Sequence, residues 1–145
     1  MHVSGLTKRY GSLLALDDVG FEVERGQVVG FLGPNGAGKT TTMRAIMQLV
    51  ALDAGEVTWD GVAVDRGVSR RFGYMPAERG MYQRMKVLDH LVYYARLSGR
   101  APGDAKRCAE AWLDRLGLGD RSGDTVDSLS SGNQQRVQLA LAMID

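Results

Sequence analysis

The chain has 145 residues, of which 44% are hydrophobic and 24% are charged, and its formal net charge is +1. This size and composition are those of at most one globular domain, and the charge gives no indication of a nucleic-acid partner. The single Cys108 excludes an internal disulfide framework, the two separated histidines offer no metal-ligand cluster, and no apolar run reaches membrane-spanning length, so we expect a cytoplasmic protein.

The first elements are predicted to be strands. Residues 1–10 indicate a short strand, and Val19, Phe21 and Val23 alternate with polar or small residues as a half-buried strand does. The nearly continuous apolar run at residues 27–32 is typical of a buried parallel strand.

A glycine-rich segment follows this run and fits the pattern G-x-x-x-x-G-K-[ST]. Its residues are Gly33, Pro34, Asn35, Gly36, Ala37, Gly38, Lys39, Thr40 and Thr41. Glycines let backbone N–H groups approach a phosphate closely, and the following helix adds unpaired N–H groups and the positive end of its dipole. Lys39 is expected to reach the β- and γ-phosphates, Thr40 to place a hydroxyl on Mg²⁺, and Thr41 to bond another phosphate oxygen. The alternative is a glycine-rich turn that contains a lysine by chance.

The next elements are a helix, a hairpin and a further strand. Apolar residues recur at helical spacing from Met43 to Val50. Asp60-Gly61 lies between two apolar stretches and predicts a two-residue hairpin. Residues 72–75 predict a short strand that stops at Pro76.

The second half of the chain has the periodicity of helices. One helix is predicted around Leu88–Ala95, and a second runs to Leu116 with Asp104 as its N-cap and Gly117 as its stop. A last helix is predicted from about Gly132. Its start carries the stretch Leu129-Ser130-Ser131-Gly132-Asn133-Gln134-Gln135-Arg136, in which hydroxyls and a glycine begin a helix and could accept an anion.

Together with the loop at residues 33–41, this stretch resembles the LSGGQ signature of the ATP-binding cassette (ABC) family. The resemblance extends over essentially the whole chain in family order. The stretch from Pro76 to Val87 resembles a subgroup of exporter-type ATPases that includes sodium- and drug-efflux systems. The family resemblance implies an α/β P-loop NTPase core with an antiparallel β subdomain and a helical subdomain, incomplete at its C-terminus. The implied parts are a core at 1–76, a Q-loop and helical region at 77–131, and a signature helix at 132–145.

The resemblance also implies roles for individual residues. Tyr10 is similar to the aromatic residue that stacks on adenine, although a strand-edge tyrosine is the alternative. Leu129, Ser130, Ser131, Gly132 and Asn133 are similar to the residues that contact ATP bound to a second cassette in a head-to-tail dimer. The family's cofactors are ATP and Mg²⁺, and its other partner is a transmembrane permease at the cytoplasmic face of the membrane.

Two departures from the family pattern limit the catalytic assignment. In the family a glutamine usually stands where this sequence has Ala77 and Glu78. Either Glu78 substitutes for it, which makes Glu78 a catalytic candidate, or the relay to the membrane subunits is altered. The sequence stops where the Walker B strand and the catalytic glutamate are expected, and Asp145 follows a helix rather than a strand. We therefore expect a truncated cassette that leaves the apolar 27–32 edge exposed.

Three functional interpretations follow from these residues. The favoured one is the ATP-binding subunit of an ABC transporter, or a piece of it, with export as the expected direction. The second is a non-catalytic nucleotide-binding or regulatory module, and the third is a soluble ABC-family ATPase unconnected with transport. Enzyme activity of these residues alone is left open, and the transported substrate is not encoded in them.

Overall fold

A computed structural model describes residues 1–77 and 80–144 of the chain. The chain forms two compact units, one of residues 1–72, called here the β unit, and one that begins at Gly73, called here the helical unit. Each unit has its own hydrophobic core. Glu78 and Asp145, which the sequence analysis singled out, lie outside the described residues.

The β unit is built on a four-stranded antiparallel sheet. Its strands are β1 (His2–Tyr10), β2 (Leu13–Glu22), β3 (Ala54–Trp59) and β4 (Val62–Ala63), in the spatial order β2-β1-β3-β4. Alternate side chains of a strand point to the same face of the sheet. The apolar side chains on one face form a common core with two helical residues. The core residues are Val3, Leu6, Leu16, Ala45, Ile46, Val57 and Val64. The predicted first strands are confirmed.

The hairpin between β3 and β4 turns at the predicted dipeptide. Asp60 has φ of 51° and Gly61 has φ of 78°. Positive φ at both central residues is the geometry that matches the twist of the flanking strands and favours Asp-Gly. The hairpin prediction is confirmed.

Two helices complete the β unit. Helix α1 (Lys39–Ile46) buries Thr42 together with Ala45 and Ile46, which follow it by three and four residues and so share its face of the helix. Helix α2 (Arg66–Ser69) begins at Asp65, whose carboxylate accepts a hydrogen bond of 2.8 Å from the N–H of Val68. That bond satisfies an N–H group that the first helical turn would otherwise leave unpaired.

Two strand predictions are wrong. Residues 27–32 and 72–75 form no strand in the structure. A strand exists only beside a partner that accepts and donates its backbone hydrogen bonds, and no described segment pairs with either stretch. The expected exposure of the first stretch is confirmed, since Val28 is 97% and Leu32 94% exposed, while Phe31 packs its ring 5.4 Å from that of Phe21.

The helical unit consists of three longer helices. They are α3 (Val87–Leu97), α4 (Pro102–Arg115) and α5 (Ser131–Met143), and two short 3-10 turns at Gly119–Arg121 and Val126–Ser128 connect α4 to α5. Each helix contributes an apolar face to one core, as the periodicity predicted. Its largest fully buried apolar side chains are Leu91, Leu113, Leu118, Ile144, Val87, Val126 and Val137.

The ends of α4 test two predictions about helix boundaries. Gly117 follows the helix with φ of 67°, so the predicted glycine stop is confirmed. Asp104 as N-cap is wrong, because Ala101 occupies that position and Pro102 begins the helix. Proline suits the first helical position since its missing N–H would have no acceptor there, and Asp104 falls in the first turn, where a negative charge favours the helix dipole.

Helix α5 lies against the segment that opens the helical unit. The side chain of Gln138 donates a 2.7 Å hydrogen bond to the carbonyl oxygen of Pro76. One turn later, the carbonyl of Ala142 approaches Gly73 so closely that a Cβ at that glycine would overlap it. Residues 73–76 are therefore held by contacts to a helix rather than by strand pairing.

Each unit carries one of the two tryptophans of the chain. Trp59 in β3 packs its ring 5.3 Å from Phe72. Trp112 in α4 lies under the guanidinium of Arg115, 5.2 Å from the ring centre, in a cation–π arrangement.

Two kinds of feature are missing from the part of the chain that the structure describes. No helix there combines the length and apolar composition needed to cross a bilayer. No group of three or more His, Cys, Asp or Glu side chains in the same residues could hold a metal ion.

His90 is a buried titratable group in α3. Its side chain is fully buried between the rings of Tyr82 and Tyr94, at 5.7 and 5.2 Å, and neither ring nitrogen bonds to a described residue. Burial lowers the pKa of His90 from its usual 6.5, because the charged imidazolium loses its hydration.

We expect this histidine to make the stability of the protein depend on pH. As pH falls below about 6.5, His90 is protonated in the unfolded chain but stays neutral in the folded protein. The free energy of unfolding therefore decreases, by at most about 1.4 kcal/mol per pH unit. Urea unfolding at pH 7.5 and 5.5 measures the difference. His90→Phe, which keeps an aromatic ring, should reduce the loss. Equal losses in wild type and His90→Phe would contradict the assignment.

Candidate functional site

The glycine-rich loop at residues 33–38 leads directly into α1. Gly36 has φ of 87° and Gly38 has φ of 83°, a backbone conformation that side-chain-bearing residues rarely adopt. Gly38 also lies against β2, where an added Cβ would come within 2.5 Å of the Ala15 carbonyl oxygen and 2.7 Å of the Leu16 side chain. The motif glycine at position 38 is therefore required both by its backbone conformation and by the approach of β2.

The first turn of α1 presents backbone donors. The N–H and the hydroxyl of buried Thr42 both bond to the Gly38 carbonyl, at 2.8 and 3.1 Å, and close the first helical turn. The N–H groups of Lys39, Thr40 and Thr41 have no intrahelical acceptor and donate to no other described residue. Unpaired donors at the positive end of the helix dipole fit a phosphate group.

Lys39 supplies the positive charge of the loop. Its ammonium group donates hydrogen bonds of 2.6 and 2.7 Å to the carbonyl oxygens of Gly33 and Pro34, so the side chain reaches back across the loop it follows. The charge is thereby held beside the donors of the first helical turn. Donors and charge together suit a polyanion such as the triphosphate of ATP.

The first turn of α1 offers few ligands to a magnesium ion. Thr40 is exposed in the first turn of α1 and can offer one hydroxyl oxygen, but that turn contains no acidic residue. Mg²⁺ prefers six oxygen ligands and is commonly held by few protein groups together with phosphate oxygens and waters. Thr40 therefore fits Mg²⁺ as one ligand beside a bound phosphate.

Tyr10 lies in the same unit as the loop. It is the last residue of β1, its side chain is 49% exposed, and the ammonium of Lys8 lies 5.5 Å from the ring centre. Lys8 pairs with Leu16, the residue that contacts Gly38. Two residues along a strand cover about 7 Å, so Tyr10 is about that far along β1 from the level of Gly38. Tyr10 therefore lies in the same unit as the loop, two residues along β1 from the residue that pairs with Leu16.

Asp53, just before β3, is a residue of this region that the sequence analysis missed. Its carboxylate accepts hydrogen bonds from the Arg9 N–H at 2.6 Å and from the Lys8 ammonium at 3.0 Å. These two bonds, that to Arg9 above all, lower the pKa of Asp53 below its usual value. The only sequence signal was an acidic residue next to a strand, which is too common to single out a residue.

The signature residues lie at the start of α5 in the helical unit. Ser130 is the N-cap, and its hydroxyl accepts a 3.4 Å hydrogen bond from the Asn133 N–H. Leu129 is buried, whereas Ser130, Ser131 and Gly132 are exposed. Three of the five signature residues are thus open to solvent around a helix N-terminus.

Gln134 fixes the turn that precedes this helix. Its buried side chain donates to the carbonyl oxygens of Val126, at 2.9 Å, and Leu129, at 3.2 Å. In the sequence, Gln134 is visible only as part of the stretch 129–136, and this role is not. The two bonds hold the exposed serines at a fixed place at the N-terminus of α5.

The predicted catalytic candidate is not part of this geometry. Ala77 is exposed and carries no polar group, and Glu78 and Asp145 lie outside the described residues. The described residues therefore supply groups suited to holding a nucleotide and none that the sequence analysis assigned to activating water.

Comparisons with known proteins add three findings. The family model described as "ABC transporter" matches residues 16–145. An uncharacterized ABC transporter ATP-binding protein of Bacillus subtilis, YhaQ, is 40% identical over 98% of the chain and 48% of its own length. The phosphonates import ATP-binding protein PhnC 1 of Natronomonas pharaonis is 37% identical over 99% of the chain and 64% of its own length.

Solved structures agree with the sequence matches. A structure described as the ATP-binding subunit of an ABC transporter superimposes with a TM-score of 0.81 and 29% identity, over 99% of this chain and 61% of the other. The predicted α/β fold with an antiparallel sheet is confirmed by this likeness. The chain spans about half to two thirds of the length of the relatives it matches.

Proposed function

Because the chain belongs to the ABC transporter family of ATP-binding proteins, we propose that residues 33–41 bind the phosphates of Mg·ATP to power transport across a membrane. The observation that carries this proposal is the N-terminus of α1, where unpaired N–H groups face the same loop that holds the Lys39 ammonium. A helix N-terminus beside a fixed cation is a strong anion site.

The proposed roles follow the chemistry of each group. Backbone N–H groups of the loop hold the α- and β-phosphates, Lys39 the β- and γ-phosphates, and Thr41 a further phosphate oxygen. Bound Mg²⁺, which Thr40 would ligate, supplies neutralisation of phosphate charge. Tyr10 offers its exposed ring to adenine. ATP hydrolysis is proposed for the whole protein, because the described residues provide no group assigned to activating water.

The proposed partners follow from the signature and the family. Residues 129–133 are proposed to contact ATP bound to a second cassette, so that ATP joins the two copies head to tail. A transmembrane permease is the proposed second partner, and it would place the protein at the cytoplasmic face of the membrane. We propose the same subdivision as the sequence indicates, a core at 1–76, a Q-loop and helical region at 77–131 and a signature helix at 132–145.

Export is the proposed direction of transport, on the resemblance of residues 76–87 to exporter-type ATPases. The name of PhnC 1 describes import, so the family match alone leaves the direction open. Retention of sodium and of a fluorescent drug by cells that lack the protein measures the direction. Increased retention of either supports export, and unchanged retention of both contradicts it.

The direct test of the proposed function is calorimetric titration of the protein with Mg·ATP, followed by sedimentation at saturating ATP. One ATP bound per chain is expected. An absence of binding by a protein that circular dichroism shows to be folded would overturn the nucleotide assignment. Turnover of bound ATP is measured in the same samples by release of phosphate.

A substitution at Gly132 separates ATP binding from pairing of the two copies. A Cβ at this exposed glycine meets no atom within 4 Å, so Gly132→Asp should leave the fold intact. The new carboxylate would face the partner's γ-phosphate, and like charges repel, so ATP-dependent dimerisation should weaken at least tenfold while ATP binding by the monomer stays unchanged. Gly123→Asp, at another open glycine of the helical unit, is the matched control. Equal dimerisation of the two variants would contradict the proposed contact.

A further inference from the structure

The end of β1 pairs with β2, through Arg9 with Leu14 and Tyr10 with Leu13, but on its β3 side it is held by a carboxylate. The pairing of β1 with β3 ends at Thr7 and Ala54, and the pairing with β2 shifts register between Lys8 and Arg9. Beyond this point Asp53 continues the contact, since its N–H donates to the Thr7 carbonyl at 3.0 Å and its carboxylate accepts from the Arg9 N–H. On the β3 side, the backbone next to Tyr10 is thus supported by the Asp53 side chain.

The same carboxylate fixes the cation beside Tyr10. The second oxygen of Asp53 accepts from the Lys8 ammonium at 3.0 Å, and that ammonium lies 5.5 Å from the centre of the Tyr10 ring. This distance is within the range of a cation–π interaction. Lys8 therefore covers one face of the ring, and Asp53 keeps it there.

The Tyr10 side chain is accessible to a flat ligand. The side chain is 49% exposed, and no aromatic ring among the described residues stacks on it. Stacking of a base on an aromatic ring strengthens binding when the ring is correctly placed. The contribution requires that the ring not rotate away, and rotation is what the Lys8 contact opposes.

We propose that Asp53 is a positioning residue for the nucleotide base, because it fixes Lys8 and the Arg9 backbone so that the exposed Tyr10 ring stacks on adenine. This inference rests on the proposed binding of ATP at residues 33–41. In this inference the base of ATP contacts Tyr10, whereas its phosphates contact residues 33–41. Asp53 acts on the base alone, since its hydrogen bonds go to the end of β1 and none goes to the loop.

The experiment compares ATP with inorganic triphosphate, which has the phosphates without a base. Asp53→Asn keeps the size of the side chain and removes its charge. In the intact protein this variant should bind Mg·ATP about fivefold more weakly and inorganic triphosphate within twofold of wild type. Asp60→Asn is the matched control, because Asp60 forms an exposed ion pair with Arg25 in the same unit, at 2.5 Å, away from Tyr10.

A second variant keeps the inference testable if Asp53→Asn does not fold. Lys8→Gln removes the cation from the Tyr10 ring and should produce the same selective loss of ATP affinity, and the double variant should lose little more than either single one. Equal weakening of ATP and triphosphate would overturn the inference and indicate a general effect on the fold. Unchanged ATP affinity in both variants would also overturn it. Failure of the wild-type protein to bind either ligand would instead overturn the proposed function.

Discussion

The Lys39→Ala variant is expected to bind Mg·ATP from roughly 30-fold to several thousand-fold more weakly than the wild-type protein. Removing one member of a desolvated, hydrogen-bonded charge pair costs roughly 2–5 kcal/mol, and each 1.4 kcal/mol is a factor of ten in the dissociation constant. Lys39 is the cation that the structure places over the loop, through its bonds to the Gly33 and Pro34 carbonyls. Calorimetric titration with Mg·ATP measures the loss.

The control for this prediction is Lys106→Ala. Lys106 is an exposed lysine of α4 that forms only a 3.7 Å contact with Glu110, and its removal changes the net charge by the same amount. Lys106→Ala should bind ATP as the wild type does. Similar affinities of the two variants would mean that overall charge, and not the loop, attracts the nucleotide. Lys39-dependent hydrolysis by the 145 residues alone would make Glu78 and Asp145 the residues to test for a catalytic role.

The second large effect is expected at Gly55, where β1 and β3 approach most closely. Gly55 has φ of 89°, and a Cβ there would overlap the Gly5 carbonyl and lie 2.6 Å from the Ser4 carbonyl oxygen. A left-handed backbone costs a side-chain-bearing residue about 1–2 kcal/mol, and overpacking against groups that cannot move aside adds about 1–3 kcal/mol. Gly55→Ala should therefore lower the free energy of unfolding by about 2–5 kcal/mol, measured by urea denaturation.

Gly26→Ala separates the two contributions. Gly26 has φ of 76°, but a Cβ there meets no atom within 4 Å. The free energy of unfolding of this variant should fall only by the cost of the left-handed backbone, about 1–2 kcal/mol. If both variants lose the same free energy, the close approach of the two strands is not what requires glycine at position 55.

The parts of the fold that the sequence predicted correctly are those set by neighbouring residues. The spacing of apolar residues predicts α3, α4 and α5 because a helix is specified within a few turns. The Asp60-Gly61 hairpin and the Gly117 stop follow from backbone preferences of single residues. The loop before Lys39 belongs to the same class, because its glycines and its helix N-terminus adjoin one another in the chain.

The parts that the sequence did not predict depend on distant residues. Residues 27–32 have the composition of a strand, but strand formation requires a partner, and no described segment pairs with them. The contact of Asp53 with Arg9 joins positions 44 apart, and that of Gln138 with Pro76 joins positions 62 apart. Neither contact leaves a local pattern in the sequence, so the support of Tyr10 became visible only in the structure.

The separate packing of the two tryptophans gives the molecule a built-in pair of fluorescent reporters. Trp59 senses the environment beside Phe72, and Trp112 senses the neighbourhood of Arg115, so each unit carries its own indole. Replacing either tryptophan by phenylalanine leaves an emission signal from the other unit alone. Coincident denaturation curves from the two single-tryptophan proteins would identify one cooperative transition, and displaced curves would identify two. The unfolding order of the units can thus be read without an added label.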